Sequence, residues 1–240
     1  MNFLKVEAWK DHKNIFHGFG TRNSSADRFT RPDWRGKKVV LGATQLPLVS
    51  LRQIHGDGII VFQGGGEKAE GPWEREGDAL ITSSPGIALG VFTADCLPVF
   101  LFEPERQVAA VVHAGWRGTA REITRKVVEK MAEDFACGAE KIQAALGPCI
   151  GPCCYEVDGP VEAAFRSGDL PWESFASVRG PGKWSLDLQE ANTYLLAKGG
   201  VKKENIHRLV YCTACRSDLF FSYRREKGTR GRHVNFISFL

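Results

Sequence analysis

Residues 99–102 and 108–113 are two strand-length apolar runs separated by Glu103-Pro104-Glu105-Arg106-Gln107. A polar five-residue spacer between such runs predicts an antiparallel hairpin. Just upstream, residues 87–93 have the length and composition of a buried strand. Just downstream, Gly115-Trp116-Arg117-Gly118 leads into residues 119–135, where Ile123, Val127, Met131 and Phe135 recur every four residues. That spacing lays an apolar stripe along one helix. Thr119 and Glu122 have capping-box spacing at its start. Strands and a helix this close in sequence constrain the chain to an α/β or α+β fold around a large mixed β-sheet.

The rest of the chain fits that frame. Residues 142–146 read as a buried strand. Residues 159–166 and 186–198 read as helices, the second ended by Gly199-Gly200. Residues 209–212, 219–223 and 234–239 alternate in a strand-like way. Towards the N-terminus, residues 1–20 contain a short strand, and 39–41, 48–51 and 59–62 are further strand candidates. The polar stretches 21–38 and 67–77 read as loops. There is no repeat and no long linker, so residues 1–240 are expected to form a single domain.

Composition excludes several classes. A net charge of +4 falls short of a nucleic-acid footprint, although it suits a small anionic substrate. The longest apolar runs, 86–92 and 108–112, are too short to span a bilayer. The opening MNFLKVEAWKDHKN lacks a signal-peptide core. Seven cysteines is an odd number in a chain too large to need staples, which points to a reducing cytoplasm with free or metal-bound thiols.

Three segments carry candidate chemistry: LRQIHG at 51–56, TADCLP at 93–98 and VVHAGWRG at 111–118. Each sets a potential ligand (His55, Cys96 or His113) at the end of an apolar run, beside a Gly or Pro turn. Strand ends are where side chains converge at the rim of a sheet. Two imidazoles and one thiolate suit Zn²⁺, with a fourth position left for water, which is a catalytic pattern. On spacing alone, a hydrogen-bonded histidine or a small buried cysteine also fits each position.

These segments occur with DALIT at 78–82, GPCIGPCCYEV at 147–157, Cys212-Thr213, FFSYRR at 220–225 and Gly231-Arg232. Together they resemble the YfiH-like family over residues 52–240. Members of that family have been named polyphenol oxidases, laccase-like proteins, purine nucleoside phosphorylases and peptidoglycan editing factors. The resemblance implies a layered sandwich around a mixed sheet, distantly similar to the catalytic domain of cytotoxic necrotizing factor. It implies a metal triad at His55, Cys96 and His113. It implies zinc-dependent phosphorolysis of purine nucleosides and methylthioadenosine, with deamination of adenosine. The alternatives are a cytoplasmic hydrolase acting on UDP-muramyl amino acids and a non-catalytic metal-binding protein. Thr21–Arg22 is followed by Asn23-Ser24-Ser25 rather than the family's glycine pair, and 31–50 is shorter than the family pattern.

Copper is the rival metal, because two histidines and a cysteine also form a blue-copper core. A laccase needs a further cluster of about eight imidazoles, whereas the chain has six histidines in all. Cys149, Cys153, Cys154, Cys212 and Cys215 form a second cysteine set, with zinc-ribbon spacing at Cys212-x-x-Cys215. The reading preferred here is incidental thiols. The basic run Arg224, Arg225, Lys227, Arg230, Arg232, His233 lacks interleaved aromatics and reads as a solvated turn, with room for one arginine to face the site. Gly64-Gly65-Gly66 lacks the Lys-Ser/Thr of a phosphate loop.

For phosphorolysis the enzyme must hold a phosphate dianion. The turn at 115–118, opening the helix, offers backbone N–H groups. Arg117 and Arg52 are candidate phosphate clamps. For deamination, Asp95 is the candidate acid, or else a partner that orients a ligand imidazole. Cys96 could instead be a nucleophile with His113 as its base.

Overall fold

The computed structural model describes residues 3–24, 38–41, 44–64, 75–229 and 231–240. Its strands in the first half are β1 (Ile15–Gly18), β2 (Lys38–Leu41), β3 (Thr44–Val49), β4 (Ile59–Val61), β5 (Ala79–Thr82), β6 (Ala88–Thr93), β7 (Leu97–Glu103) and β8 (Val108–Ala114). Two helices follow, α1 (Trp116–Ala120) and α2 (Ile123–Phe135). The second half adds β9 (Gln143–Leu146), β10 (Glu156–Asp158), α3 (Gly159–Ser167), α4 (Trp172–Phe175), β11 (Ala176–Gly180) and β12 (Lys183–Leu186). It ends with α5 (Leu188–Lys198), β13 (Ile206–Arg208) and β14 (His233–Phe239). The loops expected at 21–38 and 67–77 lie largely outside the described residues.

The strands form a six-stranded sheet, β13-β9-β7-β8-β5-β4, and a five-stranded sheet, β1-β14-β6-β3-β2, with a small third sheet, β10-β12-β11. Parallel pairs (β3 with β6, β4 with β5, β9 with β13) mix with antiparallel ones, as the sequence predicts. The expected hairpin is the β7–β8 pair at the centre of the large sheet.

Alternation along these strands builds the layers. Leu97, Val99 and Leu101 of β7, with Val108, Ala110 and Val112 of β8, share a core with Ile123, Val127 and Met131 of α2 and Leu195 of α5. The opposite parity, Phe100, Phe102, Ala109 and Val111, packs against Leu89 and Val91 of β6 and Ile237 and Phe239 of β14. The large sheet is therefore covered on both faces, by helices on one side and by the second sheet on the other. His113 has the parity of Ala109 and Val111, so the strand that builds the core also aims a buried imidazole between the sheets. No described helix is long and apolar enough to cross a membrane.

The expected helix over 119–135 is broken. Glu122 adopts a left-handed conformation (φ 60°) between α1 and α2, and it caps nothing with its side chain. The capping box fails because both partners are engaged elsewhere. Thr119 Oγ1 accepts from Asn192 Nδ2 at 3.0 Å. Glu122 pairs with Arg125 and with Lys198. Asn192, buried in α5, also accepts from Thr124 Oγ1 at 3.0 Å, so one amide joins both helices to a third.

Neither expected strand forms: 209–212 is irregular except for a parallel bridge from Cys212 to Cys149, and 219–223 is irregular between two turns. The Arg225 guanidinium donates to the carbonyls of Thr213, Ala214 and Phe220, which a ladder would otherwise use. Conversely, β10, β11 and β13 were not expected. They are three to five residues long and largely exposed or half-buried, so they leave little hydrophobic period to read.

Candidate metal centre

Three segment ends converge. His55 lies in the loop between β3 and β4, Cys96 in the β6–β7 turn, and His113 in β8, opposite Pro98 of β7. Their ligand atoms all lie within 4.8 Å of one another. The His55 and His113 rings meet edge to face at 4.8 Å between centroids. His113 is buried, Cys96 half-buried and His55 exposed, so the cluster is open on the His55 side. Gly115 keeps that opening clear, because a side chain there would meet Cys96 Sγ at 3.2 Å and His55 Cδ2 at 3.4 Å. Gly118 likewise allows α1 to approach the carbonyl of Gly56, which an added Cβ would meet at 2.8 Å.

Asp78, at the head of β5, organises the cluster. Its carboxylate accepts the backbone N–H groups of Ile54 (3.3 Å), His55 (3.0 Å) and Gly56 (2.6 Å). That explains how His55 holds a positive φ of 60° without being glycine. The same carboxylate bonds His113 Nδ1 at 2.7 Å, which fixes the tautomer and leaves Nε2 to face the site. Burial alone would raise the Asp78 carboxyl, but the His113 imidazole and these N–H groups hold it below the ordinary range.

Electrostatics couple the other pair. Burial pushes the Cys96 thiol up, and the His113 charge with hydrogen bonds from both imidazoles outweighs it, bringing it down to about 6. Burial lowers His113, and the Cys96 thiolate and Asp78 more than offset this, raising it to about 9. The two shifts share one cause, each group favouring the charged form of the other, and a bound cation would take the place of the proton between them.

The remaining sequence candidates fall in different places. Asp95 is buried, with φ 91°. Its carboxylate accepts from Thr213 Oγ1 (2.6 Å), Ser222 Oγ (3.0 Å) and the Arg224 N–H (2.7 Å). It fastens the C-terminal turns to the Cys96 turn, and the imidazole-orienting contact expected of it belongs to Asp78. Arg52 is turned to Glu76 and largely exposed. Arg117 stacks on Trp116, 4.3 Å from the ring centroid. The turn at 115–118 opens a five-residue helix rather than the long one, so the expected N-terminal anion site on α2 does not form there.

Side chains supply the positive charge instead. A cavity of about 530 Å³ beside the cluster is lined by Trp116, Arg117, Tyr155, Lys183 and Arg224, and also by Glu156 and Asp158. Arg224 lies over the Tyr155 ring at 5.3 Å. Burial raises the Tyr155 hydroxyl and the nearby Cys96 charge adds to this, which ties the cavity wall to the cluster. Asp78, Lys183 and Tyr155 were absent from the sequence candidates. A readable signal existed for Asp78 alone, because an acid heading the apolar run ALIT needs buried partners.

The other four histidines build no second imidazole cluster. His17 Nε2 accepts from the Val6 N–H and His233 Nε2 from the Phe221 N–H. His12 and His207 pack against Phe102 and Trp9.

A layered α/β sandwich with an open histidine–cysteine–histidine cluster at its strand ends defines a YfiH-like protein. The chain belongs to the family described as multi-copper polyphenol oxidoreductase laccase, whose sequence profile matches residues 34–240. It is similar to the Bacillus licheniformis protein YfiH, with a TM-score of 0.85 at 29% identity over 99% of this chain and 96% of that one. It is 39% identical over 165 residues to purine nucleoside phosphorylase YlmD of Geobacillus stearothermophilus, covering 67% of this chain. It is 41% identical over 157 residues to adenosine deaminase RL5 of an unknown prokaryotic organism, covering 65% of this chain. The match spans 59% of the length of each of these two relatives.

Proposed function

We propose that this chain is a purine nucleoside phosphorylase that holds one Zn²⁺ through His55, Cys96 and His113, and that it also deaminates adenosine and cleaves methylthioadenosine. The observation that carries this reading is the cluster oriented by Asp78, open beside a cavity that combines three cations and two acids with two aromatic rings. The relatives named purine nucleoside phosphorylase and adenosine deaminase support it. The donor set fits zinc: mixed nitrogen and sulfur ligands, one carboxylate-anchored imidazole and an open side. Six histidines, four of them engaged elsewhere, do not suit multicopper chemistry. When bound, zinc supplies a Lewis acid that stabilises negative charge in the reacting substrate.

The protein's own groups do the rest. Arg117, Lys183 and Arg224 face a dianion the size of phosphate and hold it against the anomeric carbon. The bond from that carbon to the purine nitrogen breaks with its electron pair going to the nitrogen as the new bond to a phosphate oxygen forms, and the proton lost by hydrogen phosphate ends on the departing base. Trp116 and Tyr155 provide flat surfaces for the base, and Asp78 keeps His113 in one tautomer throughout. The test is a product assay of the zinc form with adenosine, with and without phosphate. Ribose-1-phosphate and adenine are expected when phosphate is added. Inosine and ammonia alone at every phosphate level would remove the phosphorylase reading.

The Cys96–His113 pair favours one second reading, a cysteine hydrolase acting on UDP-muramyl amino acids in the cytoplasm. It requires turnover after zinc is chelated and loss of turnover on alkylation of Cys96. The zinc reading requires that chelation abolish activity and that added zinc restore it.

A further inference from the structure

Outside the open cluster, the fold gathers four more sulfurs. Cys153 and Cys154 sit in the turn before β10, and Cys212 and Cys215 in the turns after β13. Nearly sixty residues separate the two pairs, and the parallel β9–β13 pairing, continued by a β-bridge between Cys149 and Cys212, brings them together. Cys215 Sγ lies 3.5 Å from Cys153 Sγ and 3.4 Å from Cys154 Sγ. All four sulfurs lie within 4.8 Å of one another and none is in a disulfide. Cys149 is the fifth cysteine of the region, and its thiol turns away to the carbonyl of Ile150.

We propose that Cys153, Cys154, Cys212 and Cys215 form a second, closed metal site that takes one zinc-like divalent cation and braces the wall of the first. The spacing fits, because a zinc–sulfur length of about 2.3 Å sets the edge of a sulfur tetrahedron at about 3.8 Å. The backbone is arranged for thiolates. The N–H of Gly151 donates to Cys212 Sγ at 3.2 Å, and the N–H groups of Ala214 and Cys215 face the same sulfur. Gly151 is needed for this approach, since a side chain there would meet Cys212 Cβ at 3.2 Å and Cys153 Sγ at 3.5 Å. Four thiolates around a divalent cation leave two negative charges. Arg225, on the carbonyls of Thr213 and Ala214, and Arg179, on the carbonyl of Pro152, are nearby cations that offset them.

The site has a structural task. Both turns grip Asp95, through Thr213 Oγ1 at 2.6 Å and the Ile150 N–H at 2.9 Å, and Asp95 precedes Cys96. Tyr155, on the cavity wall, directly follows Cys154. A cation joining the turns therefore fixes the frame around the first cluster without touching its substrate cavity.

The test is metal analysis of the full-length protein, purified under reducing, anaerobic conditions, zinc-loaded and desalted. Wild type is expected to hold about two equivalents, with Cys96→Ala and Cys153→Ser/Cys215→Ser each losing a different one. In cobalt-substituted protein, the double variant should lose most of the sulfur-to-metal charge-transfer absorption, and Cys96→Ala only a minor part. Should the double variant fail to fold, alkylation of zinc-loaded wild type decides: Cys153, Cys154, Cys212 and Cys215 are expected to be protected until a chelator is added. About one equivalent in wild type, lost with Cys96, would overturn the proposal. So would alkylation of all four thiols in the zinc-loaded protein, or a disulfide among them under anaerobic handling.

Discussion

The two clusters stand on either side of Asp95 and are built in opposite ways. The first takes one ligand from each of three segments, mixes nitrogen with sulfur, and leans on a buried carboxylate. The second takes two ligands from each of two turns, uses sulfur only, and leans on backbone N–H groups. One thiolate leaves a divalent cation net positive, able to draw electrons from a substrate. Four thiolates reverse the sign and surround the ion, which suits holding two loops together. The first cluster adjoins a cavity lined by cations, acids and aromatic rings. The residual charge on the site, more than the presence of cysteine, separates a reactive centre from a brace.

Cys96→Ala should produce the largest effect and divide the clusters cleanly. Activity should fall by about 10³-fold or more, since the only thiolate of the open site is lost. The melting temperature should change little, because Cys96 lies at the rim of the sandwich and not among its core side chains. If the melting temperature collapses along with activity, the open cluster is a brace too and the contrast fails.

Asp78→Asn probes the feature that the four-cysteine cluster lacks. Neutralising the partner of His113 should weaken zinc binding or turnover by about 10–100-fold. The amide still offers an oxygen to one N–H, so the His55 loop should be partly retained. Zinc competition with a chromophoric chelator measures the effect directly, and an unchanged affinity would remove Asp78 from its orienting role.

Arg117→Ala and Arg224→Ala sharpen the contrast at the cavity. A charge-assisted contact to phosphate is worth about 1.5–3 kcal/mol, or about 10–150-fold in the apparent KM for phosphate. Metal content should not change in either variant. Arg52→Ala, at an exposed pair with Glu76, should move that KM by less than either. A phosphate KM unaffected by all three substitutions would detach the cavity from catalysis.

How much of this was legible depends on how each feature is encoded. His55, Cys96 and His113 each end an apolar run at a turn, and a strand end is a local pattern. The β7–β8 hairpin and the stripe on α2 are local as well. Asp78 heads an apolar strand, and nothing local says that its oxygens reach residues 54–56 and His113. The break at Glu122 depends on Asn192, some seventy residues away. The four-cysteine cluster was read as incidental thiols because its two halves are far apart in sequence and meet through the parallel β9–β13 pairing and the Cys149–Cys212 bridge that continues it. Spacing shows pairs, while the fold makes the quartet. Lys183 joins the cavity as the exposed first residue of a four-residue strand too short to show a readable period.

Two buried histidines extend the comparison to stability. His113 has an acid beside it and is raised to about 9. His233 serves the other side: its Nε2 accepts the Phe221 N–H in the segment that follows Cys215. Burial lowers it to about 3, with Arg22, Arg232 and Arg225 adding to the effect and Glu226 opposing it. In the unfolded chain a histidine titrates near 6.5. A folded value below the unfolded one means that the unfolded state takes up the proton first. The contribution of His233 is therefore complete above about pH 6.5 and is lost as pH falls from there towards 3. The limiting slope is about 1.4 kcal/mol per pH unit for one proton. His17, also buried and lowered to about 3, adds a second term of the same sign. Urea unfolding of metal-free protein between pH 7 and 5 should show stability falling with acid. His233→Gln, which keeps an acceptor for Phe221 and cannot titrate, should flatten the slope by up to that amount. An identical slope in the variant would mean that His233 is protonated in the fold without penalty, and that the acid-sensitive element lies elsewhere.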